Sequence, residues 1–481
     1  MESGPLETIQ AARLAALIGD LTVERSPVYL ALAARLRLLV GDGRLPVGVR
    51  LPAERELSSA LHLSRATITA AYRRLRDEGW ATARQGSGTW TRLPAGPAQG
   101  AWIPTPLEPG VVDLAQAAPT APPEISAAFT AAMADLPRLL PGHGYHPGGL
   151  PELRARIADR FTARGLPTTP EQVLVTAGAL HAITVALAVL VRRGQRVLVE
   201  HPSYPNALDA IAAMGARVVP VAVSADEPDA IAGDMHRAAR QTSPQVAYLM
   251  PDFQNPTGLL LDESQRRRLA VGLEQSGVVA LIDETLVDLA LDAEPPLPFA
   301  AIARPEMAVT VGTMSKSFWG GLRIGWLRAE ADQVRRFAAA AVRSQMSGPV
   351  MEQLAACHLL DAADSALPAH RDRIRQQRDA LVAALSTKLP QWRVQVPSGG
   401  LVLWCELPEL SSSGLVAAAE RRGLRLAAGS RFGTGHAFDD RLRLPYTQPV
   451  DVLARAVDLL ADSVGDLDAF EHLADADELV L

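Results

Sequence analysis

At 481 residues, with 48% apolar and 21% charged side chains, the chain has the composition of a globular protein of more than one domain. No apolar run is long and uninterrupted enough to span a membrane, and residues 1–10 hold Glu2 and Glu7 without a basic residue, unlike an export signal. The formal net charge of −6 conceals an asymmetry: residues 1–92 carry thirteen arginines against nine acids, whereas residues 466–481 hold six acids and no Lys or Arg. A basic front end directs attention to nucleic acid, and the acidic tail reads as a solvated end. Cys357 and Cys405 lie far apart in apolar surroundings with no metal-ligand spacing. Buried thiols in a reducing cytoplasm, and no metal centre, are expected.

Residues 1–24 are set apart as an N-terminal extension. Ser26-Pro27 is a cap followed by a first-turn proline, and Leu32, Leu36 and Leu39 recur at helical spacing up to Gly41. A second short helix fits residues 53–61. A third begins at Ser64, turns Ile68, Ala71, Tyr72 and Leu75 to one side, and stops at Gly79. Its other face carries Arg65, Thr69, Arg73 and Arg76. Residues 80–85 and 89–93 read as strands joined at Gly86-Ser87-Gly88, a hairpin with Arg84 on a basic edge. Three helices and a hairpin make a winged helix-turn-helix spanning 25–92, whose third helix enters the major groove. Residues 93–111, rich in Pro, Gly and Ala and without periodicity, form a linker.

From 112 to 465, short Val/Leu/Ile runs at 173–176, 196–200, 246–250, 278–282 and 308–311 alternate with amphipathic helical stretches. This is the α/β pattern of a mainly parallel, doubly wound sheet, whose ligands sit beyond the carboxyl ends of the strands. Chemistry-bearing residues gather at those ends. Thr176-Ala-Gly-Ala-Leu-His181 opens a helix with small residues; it is either a phosphate cradle or a glycine needed for packing. Asn255-Pro-Thr-Gly258 follows one strand and could be a turn alone. Asp283 closes another, where a carboxylate is costly without a cationic partner. Lys316 is one of two lysines in a chain of 45 arginines, and it lies in Ser-Lys-Ser-Phe-Trp-Gly-Gly-Leu-Arg. Lysine can lose its proton and attack a carbonyl, which arginine cannot. Lys388, in a loop-like setting, reads as a stray.

Two resemblances follow from these motifs. Residues 45–57, 63–68 and 85–89 resemble the GntR family of winged-helix regulators. The resemblance implies that Arg55 and Arg65 contact double-stranded DNA, with Thr67, Arg84, Gln85 and Gly86 in support. Some relatives carry an arginine where this chain has Thr69, which bears on base preference. Residues 112–460 resemble the fold-type I aminotransferases, which bind pyridoxal 5′-phosphate. That resemblance implies an internal aldimine at Lys316 and an Asp283 pair with the pyridinium nitrogen. It further implies that Asn255 bonds the phenolic oxygen, and that Gly178, Ala179 and Leu180 cradle the phosphate with Thr313, Ser315 and Arg323. Tyr204 would stack on the ring or simply pack in the core. Arg443 would clamp a substrate or effector carboxylate, with Arg441 two positions away as the alternative. Tyr145 resembles a tyrosine that reaches the neighbouring subunit's site, implying a homodimer. One departure stands out: many relatives place a tyrosine two residues past the aspartate, where this chain has Thr285.

The combination resembles the MocR family of bacterial regulators. It implies a pyridoxal-phosphate-dependent transcriptional regulator that senses the cofactor, or an amine or amino-acid effector, at Lys316. A working aminotransferase with an accessory DNA-binding head is the alternative. A body that serves only for dimerisation is disfavoured by the survival of Lys316, Asp283, Asn255 and Arg323.

Overall fold

The computed structural model describes residues 8–19, 28–41, 45, 49–77, 80–84, 88–91, 110–294, 296–408, 410–434 and 437–478. The head contains α1 (Ala11–Ile18), α2 (Val28–Gly41), α3 (Glu54–Ala60), α4 (Arg65–Asp77), β1 (Ala81–Arg84) and β2 (Gly88–Thr91). Ser64 caps α4, its Oγ accepting the Thr67 N–H at 3.1 Å. Ile68, Ala71, Tyr72 and Leu75 then turn inward onto Leu32, Leu36 and Leu39 of α2. The Tyr72 hydroxyl is buried with them and donates to the Pro52 carbonyl at 3.0 Å. The strands pair antiparallel from Ala81↔Thr91 to Arg84↔Gly88.

One boundary shifts. Part of the region set apart as an extension belongs to the head, because Leu14 and Ile18 of α1 are fully enclosed in its core. Arg50 adds to this by bridging Thr8 on one side and Trp90 on the other. The alanine-rich helix gave no cap or charge pattern to reveal that its apolar face has a partner.

The body starts at β3 (Val112–Asp113) and is built on β4 (Val173–Thr176), β5 (Arg196–His201), β6 (Arg217–Ala222), β7 (Val246–Leu249), β8 (Val279–Asp283), β9 (Ala308–Thr313) and β10 (Gly325–Arg328). Seven of these form one sheet in the order β4-β10-β9-β8-β7-β5-β6, with only β10 antiparallel to its neighbours. The five expected runs are β4, β5, β7, β8 and β9. The edge strand β6 was missed because Pro220 interrupts its run, a residue tolerated where one side of a strand has no partner. Side chains alternate between faces: Tyr248 and Leu281 join one apolar cluster, Leu249 and Ile282 the other. Helices cover both faces, so the inner strands are buried, while the edge strand β6 is largely exposed.

A second unit contains β11 (Arg393–Val394), β12 (Val402–Glu406), β13 (Leu424–Arg425), β14 (Ala427–Ala428) and β15 (Arg441–Pro445). Four strands make a sheet in the order β11-β12-β15-β14, while β13 pairs in parallel with β3. The last helix, Val450–Glu478, continues past residue 465 into the acidic tail without a break. Among the described residues, no helix is long and apolar enough to cross a membrane.

Candidate functional site

Asp283 ends β8 and is only 4% exposed. Tyr248 on the adjacent strand donates its hydroxyl to Asp283 Oδ2 at 2.7 Å, and the Thr285 N–H donates to Oδ1 at 3.0 Å. Burial pushes this carboxyl above its ordinary range, opposed by those donors and by the charge of Lys316. Lys316 lies in the turn between β9 and β10, and its Nζ donates to the Ala117 carbonyl at 2.7 Å. Burial, reinforced by Arg443, lowers its pKa to about 8, with Asp283 opposing. The neutral, nucleophilic amine is therefore far more populated near neutrality than in an ordinary lysine, though the ammonium is still the majority form.

Beside these, Gly178 caps the helix Ala179–Leu190 with φ +82°, a conformation that favours glycine. A Cβ there would stand 2.9 Å from Nη2 of Arg323. Arg323 itself has φ +52°, and its guanidinium donates to the Ala177 carbonyl at 2.8 Å. At Gly325 a Cβ would lie 2.6 Å from the Gly178 carbonyl carbon, so two backbones approach closely under the helix start. Ala179 and Leu180 supply first-turn N–H groups that a helix leaves without internal acceptors. Ser315 is buried at the same turn. Thr313 donates its hydroxyl proton to the Ile324 carbonyl at 2.8 Å, which ties β9 to the turn rather than offering a donor to a ligand.

The remaining site residues converge from other strand ends. Asn255 is half-buried, and its Oδ1 is enclosed with no hydrogen-bond partner among the described residues. Tyr204 caps the helix Pro205–Ala213, and its phenol accepts from Asn206 Nδ2 at 3.2 Å. Burial raises the Tyr204 pKa, with Asp283 next in effect and Arg443 and Arg323 opposing, so it stands among all three charges. Arg443 on β15 is 2% exposed; it donates to the Ala115 carbonyl and lies over the Phe432 ring at 4.9 Å from the centroid. Burial lowers its pKa to about 10. Arg441 instead pairs with Glu406 at 3.0 Å, which leaves Arg443 as the guanidinium facing Tyr204. Tyr145 is 58% exposed on a surface turn, and Lys388 forms a surface pair with Asp458.

In the head, the side chains of Arg55, Arg65 and Arg73 are exposed. Arg65 Nε lies 3.7 Å from Glu54 Oε2, and the Thr69 hydroxyl donates to the same carboxylate oxygen at 2.8 Å. Glu54, which sequence reasoning passed over, thus ties α3 to the outer face of α4. Thr67 is half-buried, its hydroxyl 2.8 Å from that of Ser64. Arg84 ends β1, but its side chain, like all of Gln85 and Gly86, lies outside the described residues.

An amine beside a buried carboxylate, a helix start pressed against an arginine, and a second buried guanidinium fit an aromatic aldehyde bearing a phosphate. The cradle that a Cβ would fill at Gly178 agrees with this. Residues 116–460 match the family model of aminotransferase class I and II, and residues 28–90 match that of bacterial regulatory proteins of the gntR family. The chain belongs to the MocR subfamily of GntR-type transcriptional regulators. This MocR chain is 29% identical to the uncharacterized HTH-type transcriptional regulator YdcR of Escherichia coli, over 85% of its own length and 92% of the relative's. It is 28% identical to the HTH-type pyridoxine biosynthesis transcriptional regulator PdxR of Corynebacterium glutamicum, over 88% and 94%. Its body is similar to the crystal structure of LysN, an alpha-aminoadipate aminotransferase from Thermus thermophilus complexed with N-(5′-phosphopyridoxyl)-L-leucine. The TM-score is 0.70 at 27% identity, covering 75% of the MocR chain and 94% of that chain. The cofactor of this MocR body is pyridoxal 5′-phosphate, and the head is a DNA-binding winged helix.

Proposed function

We propose that this regulator adjusts its hold on DNA according to what occupies the site around Lys316. The observation that carries the reading is the convergence of Lys316, Asp283, Tyr204 and Arg323 at the carboxyl ends of the seven-stranded sheet with Arg443 of β15, in a chain that also bears an exposed basic face on α4. The cofactor, when bound, supplies an aldehyde that couples reversibly to amines and a ring that withdraws electrons. Lys316 Nζ is the nucleophile toward that aldehyde. Asp283, steered by Tyr248, holds a proton on the ring nitrogen. Arg323, Ser315 and the N–H groups of Ala179 and Leu180 would hold the phosphate, while Asn255 would serve the ring oxygen and Tyr204 the face of the ring. Thr285 cannot reach as far as a phenol would, so Asn255 is the principal donor to that oxygen. Arg443 receives a carboxylate, which makes an amino acid the favoured effector class. Exposed Tyr145 suits a homodimer in which each copy completes the other's site. The similarity to YdcR and PdxR, both named as transcriptional regulators, supports regulation as the outcome.

Any such effect requires that the ligand bind two states of the protein unequally. A duplex selected by the full chain from a random pool provides the test. Pyridoxal 5′-phosphate, alone or with an amino acid, should change its affinity for the wild-type chain by about 5- to 150-fold, the usual range of coupling between sites. Lys316→Ala should keep DNA binding and lose the response. Equal affinity in the wild type under all conditions, alongside steady transamination, would contradict the reading.

A further inference from the structure

Both cations central to the site are hydrogen-bonded to one short stretch of backbone. Lys316 Nζ donates to the Ala117 carbonyl at 2.7 Å, and the Arg443 guanidinium donates to the Ala115 carbonyl. The two residues belong to different sheets, Lys316 following β9 and Arg443 lying in β15. The stretch between them is also fastened at its start. Val112 N–H donates to the Gly423 carbonyl and Leu114 N–H to the Arg425 carbonyl, each at 2.9 Å. Asp113 Oδ1 accepts the Ala115 N–H at 2.7 Å, and its other oxygen lies 3.8 Å from Arg425. Residues 112–117 carry β3 at the start of the body and follow, in sequence, the Pro/Gly/Ala-rich stretch 93–111 that joins it to the DNA-binding head.

We propose that residues 114–117 are a latch, pinned by Lys316 through Ala117 and by Arg443 through Ala115, which ligands at those two cations release. The proposal rests on the reading of the site given above and adds how its occupancy is passed to the linker. The chemistry favours release at each pin. Condensation of the Lys316 ammonium with an aldehyde joins Nζ to the carbonyl carbon. The aldehyde oxygen would leave as water with two of the three N–H protons, so that a single N–H, fixed in the plane of the new double bond, would stand where three rotatable donors faced Ala117. At the second pin, a carboxylate adds its own charge and accepts from a guanidinium in bidentate fashion, which a single neutral carbonyl cannot do. A carboxylate therefore displaces Ala115. An aldehyde alone frees one pin; an amino acid bound with it frees the other. With both carbonyls released, the segment keeps its pairing to β13 and the apolar packing of Leu114 and Ala115, but loses both ties to the site.

Hydrogen exchange of the full-length protein tests the latch, with residues 112–118 as reporter and β8 as an internal control for an intact fold. In protein stripped of cofactor, Lys316→Met and Arg443→Met should each speed exchange at 112–118 several-fold, the double variant further, with β8 unchanged. In the wild type, pyridoxal 5′-phosphate should speed the same amides, loading being followed by absorption. Wild-type rates in both single variants would overturn the latch. So would full loading with no change at 112–118, and in that case the cofactor reading of the site would survive. Failure of the wild type to load at all would overturn that reading together with ligand release, whatever the variants do.

Discussion

Arg266→Met should lower the free energy of unfolding by about 3–5 kcal/mol, because it leaves a buried carboxylate without its partner. Arg266 and Asp252 are both 0% exposed and pair at 2.7 Å. The same guanidinium donates to the carbonyls of Leu261 at 2.9 Å and Pro251 at 3.2 Å. Methionine fills much of the volume but satisfies none of these acceptors, and Asp252 is left buried without its cationic partner. The loss is not the worth of the pair itself, since two charges removed from water together gain little over apolar residues of similar size. Arg266→Met combined with Asp252→Leu should therefore recover much of the stability. Urea unfolding at neutral pH measures both variants, and a loss under about 1 kcal/mol in the single variant would contradict the assignment. The site shares the consequence: Pro251 and Asp252 lead directly into Asn255, so a loosened pair also loosens that amide.

Asp283→Asn should separate stability from ligand binding. Its carboxyl is held above its ordinary value by burial, so the folded chain binds the proton more tightly than the unfolded chain does. The sign follows: between the unfolded value, near 3.9, and the raised folded value, stability falls as pH rises. Ligand-free Asp283→Asn should lack this fall and be at least as stable as the wild type at neutral pH. Its affinity for pyridoxal 5′-phosphate should drop by about 2 kcal/mol or more, roughly 30-fold, because the pyridinium loses a buried anionic partner. Urea unfolding against pH and a binding titration read the two effects. A variant that loses stability yet binds the cofactor as before would contradict the role given to Asp283.

Much of the framework could be read from residue patterns, and the failures share a cause. The parallel strands were legible because burial on both faces demands continuous apolar runs, and the site residues because such runs end at binding crevices. Lys316 stood out because the chain otherwise does without lysine. Tyr248 did not, since a tyrosine inside Val-Ala-Tyr-Leu-Met looks like core until its hydroxyl is seen to meet Asp283. The short antiparallel β10 hides behind the glycines of the Lys316 turn, one of which, Gly325, is its first residue. Glu54 belongs to no motif that singles it out, and only the packing of α3 against α4 brings it to Arg65 and Thr69. The pins at Ala115 and Ala117 are carbonyls, and no side-chain pattern announces a backbone acceptor.

The most direct measurement is the absorption spectrum of the purified protein with pyridoxal 5′-phosphate, for the wild type beside Lys316→Ala, across a series of pH values. The wild type should develop the band of lysine-linked cofactor, and Lys316→Ala should not. The rate of its appearance should rise with pH and level off above about 8, where the Lys316 amine is largely unprotonated. No band in either protein, or the same band in both, would contradict a cofactor held at Lys316, and the body would then have no sensor at its centre.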